Sequence, residues 1–202
     1  MIRVASKDPS TCIRSRLALF HGTSVTAERA CGYDENEITY QLLLESGVKA
    51  LNLFAAGVGP QMLVKIGATG ASDLRKFGFD ALHLTDGEFC NECSTVYGRD
   101  DVVDAFLVSA SDAVALSGSE AMHILGVIPV LLLEKCAGFP GEAIAVLEQL
   151  PRGAALAGVP AAVILDAGLR ADSLKSVGYG LASIVNQTEA TGNDLFKLGF
   201  KF

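Results

Sequence analysis

A chain of 202 residues, 50% hydrophobic and only 19% charged, holds too much apolar side chain to stay solvated, so it must bury a core in one domain or at most two. Its net charge of −7 argues against unaided binding to nucleic acid or to an anionic membrane, since both need Lys and Arg in excess. The longest apolar run, residues 124–133, falls short of the roughly 18 residues of a membrane span and contains Pro129.

Residues 1–40 contain LALFHGTS and AERACGY, two degenerate copies of the unit that follows, and are expected to cap it. The first 18 residues set Arg3, Lys7, Arg14 and Arg16 against Asp8 alone, the charge bias of an organellar leader, without a secretory apolar stretch. Cys12, Cys31, Cys90, Cys93 and Cys136 are an odd set that suits reduced thiols better than a disulfide framework. An intracellular, reducing compartment is expected: the cytoplasm, or an organelle if the leader operates.

Residues 41–202 repeat on a beat of ten. The segments LLESGV, LFAAGV, LVKIGA, LRKFGF, MHILGV, EKCAGF, AALAGV, ILDAGL, LKSVGY and LFKLGF end at Gly47, Gly57, Gly67, Gly78, Gly126, Gly138, Gly158, Gly168, Gly178 and Gly199, each followed by an apolar residue. Successive spacings are 10, 10, 11, 48, 12, 20, 10, 10 and 21, with Gly98 and Gly118 on the same beat. Each unit reads as a short helix with a Schellman stop. If Gly takes the left-handed C′ position, the residue four before it is C3, the one after it is C″, and those two side chains should touch. C3 is Leu43, Leu53, Leu63, Leu74, Met122, Ile164, Leu174 or Leu195 in eight units, with Glu134 and Ala154 as exceptions. Glu45, Lys65, Lys76, Asp166 and Lys197, two before their glycines, belong to a wet face.

Pro60, Pro129, Pro140 and Pro160 lie just past a glycine, where a first-turn proline is pre-set for a helix, and Asp80 is placed to cap in the same way. That leaves about seven helical residues per unit, too few to be stable alone. Neighbours must stack. The fold predicted is all-α: an α-solenoid, or helical-repeat superhelix, built from hairpins of about twenty residues in one continuous domain.

Two segments leave the beat. Residues 84–112 are acidic and irregular, and read as a loop or a distorted pair of helices. Asp86, Glu88, Glu92, Asp100, Asp101 and Asp104 in this segment are the candidate partner-binding residues. Residues 186–194, NQTEATGND, are polar and replace one beat.

LRKFGF (74–79), LKSVGY (174–179) and LFKLGF (195–200) resemble the Gly-punctuated tandem repeats of LKxxGF type, about ten residues long, of protist and bacterial proteins. The resemblance implies an all-helical stack and no particular activity.

Motifs that would carry chemistry are incomplete. Gly57-Val58-Gly59-Pro60 would open a phosphate-binding turn, but the third glycine of that fingerprint falls on Met62 and Pro60 lacks an N–H. GVKALNL, FGFDALHL and GVPAAVILDAG would each fit a helix end followed by a strand, yet a beat of ten is too short for a parallel α/β unit of ~30 residues. Cys90-Asn-Glu-Cys93, with His83 and either Cys31 or Cys12, has the spacing of zinc ligands, but one such pair is weak grounds for a metal. His21, His83 and His123 are far apart, no serine sits in a nucleophile motif, and the acidic run lacks the order of a calcium loop. The expected function is therefore a non-enzymatic protein–protein interaction scaffold or structural subunit with no cofactor or metal, contacting protein partners or further copies of itself. The alternative is a small α/β enzyme using the Gly57–Pro60 turn and acids near Asp86.

Overall fold

Left-handed glycines stop the helices where the beat puts them. In the computed structural model, which describes residues 39–201 apart from 46, 56 and 57, Gly47, Gly67, Gly78, Gly126, Gly138, Gly158, Gly168, Gly178 and Gly199 all have φ between +70° and +111°. Gly98 and Gly118 do the same at +89° and +70°. Gly57 lies outside the described residues, as do Cys12, His21, Cys31 and nearly all of the cap expected over 1–40.

The helices so delimited are α1 (Tyr40–Glu45), α2 (Ala50–Ala55), α3 (Pro60–Lys65), α4 (Ala71–Lys76), α5 (Gly87–Tyr97), α6 (Arg99–Phe106), α7 (Ala110–Leu116), α8 (Glu120–Leu125), α9 (Pro129–Lys135), α10 (Pro140–Gln149), α11 (Ala161–Asp166), α12 (Ala171–Ser176), α13 (Leu181–Thr188) and α14 (Gly192–Lys197). A 3-10 turn, His83–Thr85, precedes α5. The described residues contain no strand, so the chain is all-α over this range and the α/β alternative has no sheet to stand on.

Schellman closure follows the side chain at C3. Val48, Val58, Ala68, Phe79, Val127, Leu169, Tyr179 and Phe200 each donate a backbone N–H to the carbonyl of the residue five before, at 2.8–3.4 Å. These are the eight units with Leu, Ile or Met at C3, and all eight C3 side chains are buried. Where C3 is Glu134 or Ala154 the bond is missing. There the stop glycine donates to a later segment instead, Gly138 to the Asp166 carbonyl (2.7 Å) and Gly158 to that of Gln187 (3.2 Å). Phe139, expected to be buried as a C″ residue, is 53% exposed because Glu134 gives it nothing apolar to cover.

Pro60, Pro129 and Pro140 open α3, α9 and α10, while Pro160 is the N-cap of α11. Asp80 departs from expectation, since a turn and the 3-10 segment follow it rather than an α-helix. The irregular segment 84–112 is helical for most of its length and contains α5, the longest helix described, at 11 residues. Asp86 starts α5, its Oδ1 accepting the Phe89 N–H at 2.9 Å.

The polar stretch 186–194 keeps the beat by other means. Glu189 closes α13 with φ 51° and ψ 27°, and it is the one non-glycine residue with positive φ among those described. It falls 11 residues after Gly178 and 10 before Gly199. An L-residue in this conformation costs about 1–2 kcal/mol, partly offset by the lower chain entropy it brings relative to Gly. Glu189→Gly is therefore expected to raise stability by about 1 kcal/mol, seen as a higher midpoint in urea denaturation. An unchanged or lower midpoint would mean that the carboxylate makes up the backbone strain.

The chain divides into two compact units, one comprising residues up to Asp80 with Asn91–Ala105, the other Ala81–Cys90 with Phe106 onward. In the first, the Tyr40 N–H donates to the Ile66 carbonyl and that of Ala50 to the Phe77 carbonyl, both at 2.8 Å. Each bond ties the start of a helix to the end of the second helix after it. In the second unit Ala171 bonds the Leu198 carbonyl in the same way, again at 2.8 Å, while α7 packs on α9 and α10, and α11 packs on α9 and α14. The first helical residue is small where these ends meet: Ala50, Ala71, Ala161 and Ala171 are all buried.

Candidate functional site

Free N–H groups at short helix starts decide where the acidic residues go. In the first unit α3 begins with Pro60, and the Gln61 N–H beside it donates to Glu92 Oε1 of α5 at 2.9 Å. The Ala71 N–H at the start of α4 donates to Asp101 Oδ2 of α6 at 2.8 Å. These carboxylates satisfy donors that the first turn of a helix leaves unpaired. A side chain at Gly59 would overlap the Glu92 carboxylate, so this glycine makes room for an acid and not for phosphate.

The six candidate partner-binding residues thus separate by environment. Asp86, Glu92 and Asp101 hold helix starts within their own units, whereas Glu88, Asp100 and Asp104 are exposed. Asp101→Ala is expected to lower stability by about 1 kcal/mol through the lost cap. Asp100→Ala and Asp104→Ala should each stay within about 0.5 kcal/mol. Thermal melts of the three variants check this, and equal melting points would deny Asp101 its role.

Asp73 is a hub that the sequence analysis does not single out. Its Oδ1 accepts the Tyr40 hydroxyl (3.0 Å) and Lys76 Nζ (2.8 Å), and its Oδ2 accepts the N–H groups of Thr69 (2.9 Å) and Gly70 (3.3 Å). Burial pushes this carboxyl up, but the bonds from Lys76, Tyr40, Gly70 and Thr69 outweigh burial and hold it below the usual carboxylate range. With the folded pKa depressed, the stabilisation is fully present above the unfolded value of about 3.9 and lost as pH falls through the folded value. Asp73→Asn should therefore lose stability at neutral pH and flatten the acid limb of the stability curve. An unaltered acid limb would be inconsistent with the hub.

Asp112 and Asp194 repeat part of this pattern by accepting the N–H and hydroxyl of Ser109 and Thr191, three residues earlier. The Ser-x-x-Asp and Thr-x-x-Asp spacings are sequence signals for a helix start.

In the second unit a groove of about 600 Å³ lies between residues 158–162, which lead into α11, and residues 186–189 at the end of α13, with Asp194 of α14 also in its wall. Its polar lining is Asn186, Gln187, Thr188, Glu189 and Asp194. The Thr188 hydroxyl is turned inward to the Ile184 carbonyl (2.6 Å), and Gln187 Oε1 is buried without a hydrogen-bond partner. No feature of the sequence points here beyond the missing glycine at position 189.

Cys90, Cys93 and Cys136 are buried thiols. Burial, with Glu120 near one and Glu142 near the other, pushes Cys90 and Cys136 up to about 11, so both are held as unreactive thiols at neutral pH. Among the described residues no three His, Cys, Asp or Glu side chains gather where a metal would sit. His83 lies in the 3-10 turn and His123 is exposed on α8. No described helix is long and apolar enough to cross a membrane.

Compared with known proteins, the chain matches no family model, no curated protein and no solved structure.

Proposed function

We propose that this chain is a non-catalytic interaction scaffold, a stacked array of short helices on a ten-residue beat whose surface binds a protein partner or a further copy of itself within a larger assembly. The observation that carries the reading is the constant offset of the long-range backbone bonds. Tyr40 to Ile66, Ala50 to Phe77, Gly138 to Asp166, Gly158 to Gln187 and Ala171 to Leu198 span 26, 27, 28, 29 and 27 residues. A fixed offset repeated along a chain is the logic of a solenoid, in which each unit is completed by the next and the product is an extended surface. Large apolar side chains on that surface, Leu51 at 74%, Leu82 at 66% and Phe196 at 72% exposed, suit contact with a partner. Basic partners fit the net charge of −7.

Affinity capture of the intact chain from native extract tests the reading, using a variant with Asp100→Lys and Asp104→Lys beside the parent. A discrete partner, or a defined oligomer by light scattering, that is weakened by the double reversal in a salt-dependent way at an unchanged melting point supports it. A partnerless monomer, or turnover of a small molecule by the purified chain, sinks it.

A further inference from the structure

We infer that the groove at the end of α13 recognises an organic cation, the guanidinium or ammonium group that an Arg or Lys side chain carries. The scaffold reading enters only in naming a partner protein as the source of that group; the groove's chemistry stands apart from it.

Its volume of about 600 Å³ is that of a site for a small molecule or a long side chain. Its charge has one sign. Glu189 and Asp194 are the ionisable residues of its lining, which contains no Lys, Arg or His. The bonds that Asp194 accepts from Thr191 both fall on Oδ2, which leaves Oδ1 to accept another donor. Those bonds also hold the carboxyl below the usual range, so it is charged at neutral pH, with Lys197 of its own helix as the neighbouring base.

Backbone polarity acts in the same direction. The eight-residue α13 ends in this wall, and the last carbonyls of a helix form its negative end. The Gln187 carbonyl accepts the Gly158 N–H, whereas its side-chain Oε1, buried in the groove wall, has no donor at all. The opposite wall offers no anion site, because α11 has six residues and begins after Pro160, which lacks an N–H. A bare divalent ion would be short of ligands, since no third carboxylate, His or Cys joins the pair among the described residues. A planar or tetrahedral N–H donor, by contrast, can be shared between Glu189 and the acceptors around it. Glu189 also occupies the left-handed position that glycine fills at the other stops, so its carboxylate is retained against backbone preference.

Calorimetric titration of the intact chain tests this with a capped Arg-containing peptide, spermidine, a capped Ala peptide and inorganic phosphate. Saturable binding of the Arg peptide or of spermidine, but not of the Ala peptide or phosphate, is expected. Preference for the peptide identifies a protein source, preference for spermidine a free amine, and either supports the cation chemistry. Glu189→Gly should weaken that binding about tenfold while leaving the chain folded, so the loss cannot come from unfolding. Absence of saturable cation binding, binding unaffected by Glu189→Gly, or binding of phosphate in its place would overturn the inference. If capture of a partner from extract succeeds while these titrations fail, the groove is wrong and the scaffold stands.

Discussion

Gly118→Ala is expected to lose about 3 kcal/mol, among the largest effects of any single added methyl group in the chain. Two separate causes combine there. With φ at +70°, the residue sits where an L side chain costs about 1–2 kcal/mol. A Cβ at this position would also stand 2.7 Å from the backbone carbonyl oxygen of Gln149, which ends α10 and cannot swing away as a flexible side chain would. Forcing such an overlap costs typically about 1–3 kcal/mol more. Gly126 separates the causes, because it has the same φ of +70° and a methyl group added there would meet nothing within 4 Å. Gly126→Ala should therefore show the conformational loss alone, about 1–2 kcal/mol. Urea denaturation of both variants checks the difference, and equal losses would place the end of α10 farther from Gly118.

The helix stops were legible because a Schellman motif is local. Everything that decides Leu74 as C3, Gly78 as C′ and Phe79 as C″ lies within six consecutive residues, and the bond that closes it, Phe79 N–H to the Leu74 carbonyl, spans the same six. Even the exceptions were visible, since Glu134 and Ala154 mark the two units whose stops close differently. Pro60, Pro129 and Pro140 were legible for the same reason, as a first-turn proline needs nothing outside its own helix.

Relations between helices were not legible in this way. Nothing near Tyr40 or Ala50 names Ile66 or Phe77 as its acceptor, because the link joins backbone atoms and leaves no requirement on side-chain identity beyond smallness. The buried alanines at positions 50, 71, 161 and 171 were the available trace of it. The acidic segment misled for a related reason. Charge suggests solvent or a partner, yet an orphan N–H is itself a partner for a carboxylate, and α3 and α4 supply such donors to Glu92 and Asp101. Glu189 was illegible because glycine is the residue that marks a left-handed stop, and a glutamate in that conformation carries no such mark.

Leu74→Ala and Leu174→Ala are expected to cost about 2–5 kcal/mol each, because both side chains are fully buried and each anchors a stop. A six-residue helix cannot hold itself together in water, so α4 and α12 keep their form through the contact of C3 with C″ and through bonds to other helices. Removing the leucine empties a core position and loosens the backbone closure above it at once. Lys65→Ala and Lys197→Ala, on the exposed side of the same kind of helix, should change stability by less than about 0.5 kcal/mol. Lys76 belongs to neither group. Its ammonium bonds Asp73 at 2.8 Å and lies 5.7 Å from the centre of the Tyr40 ring, so Lys76→Ala should lose more than the other two lysines even though the side chain is 58% exposed. Denaturation midpoints in that order, leucines far below Lys76 and Lys76 below the other lysines, follow from the helical phase set by the glycine beat. Leucine and lysine variants of equal stability would place the wrong face of each helix in the core.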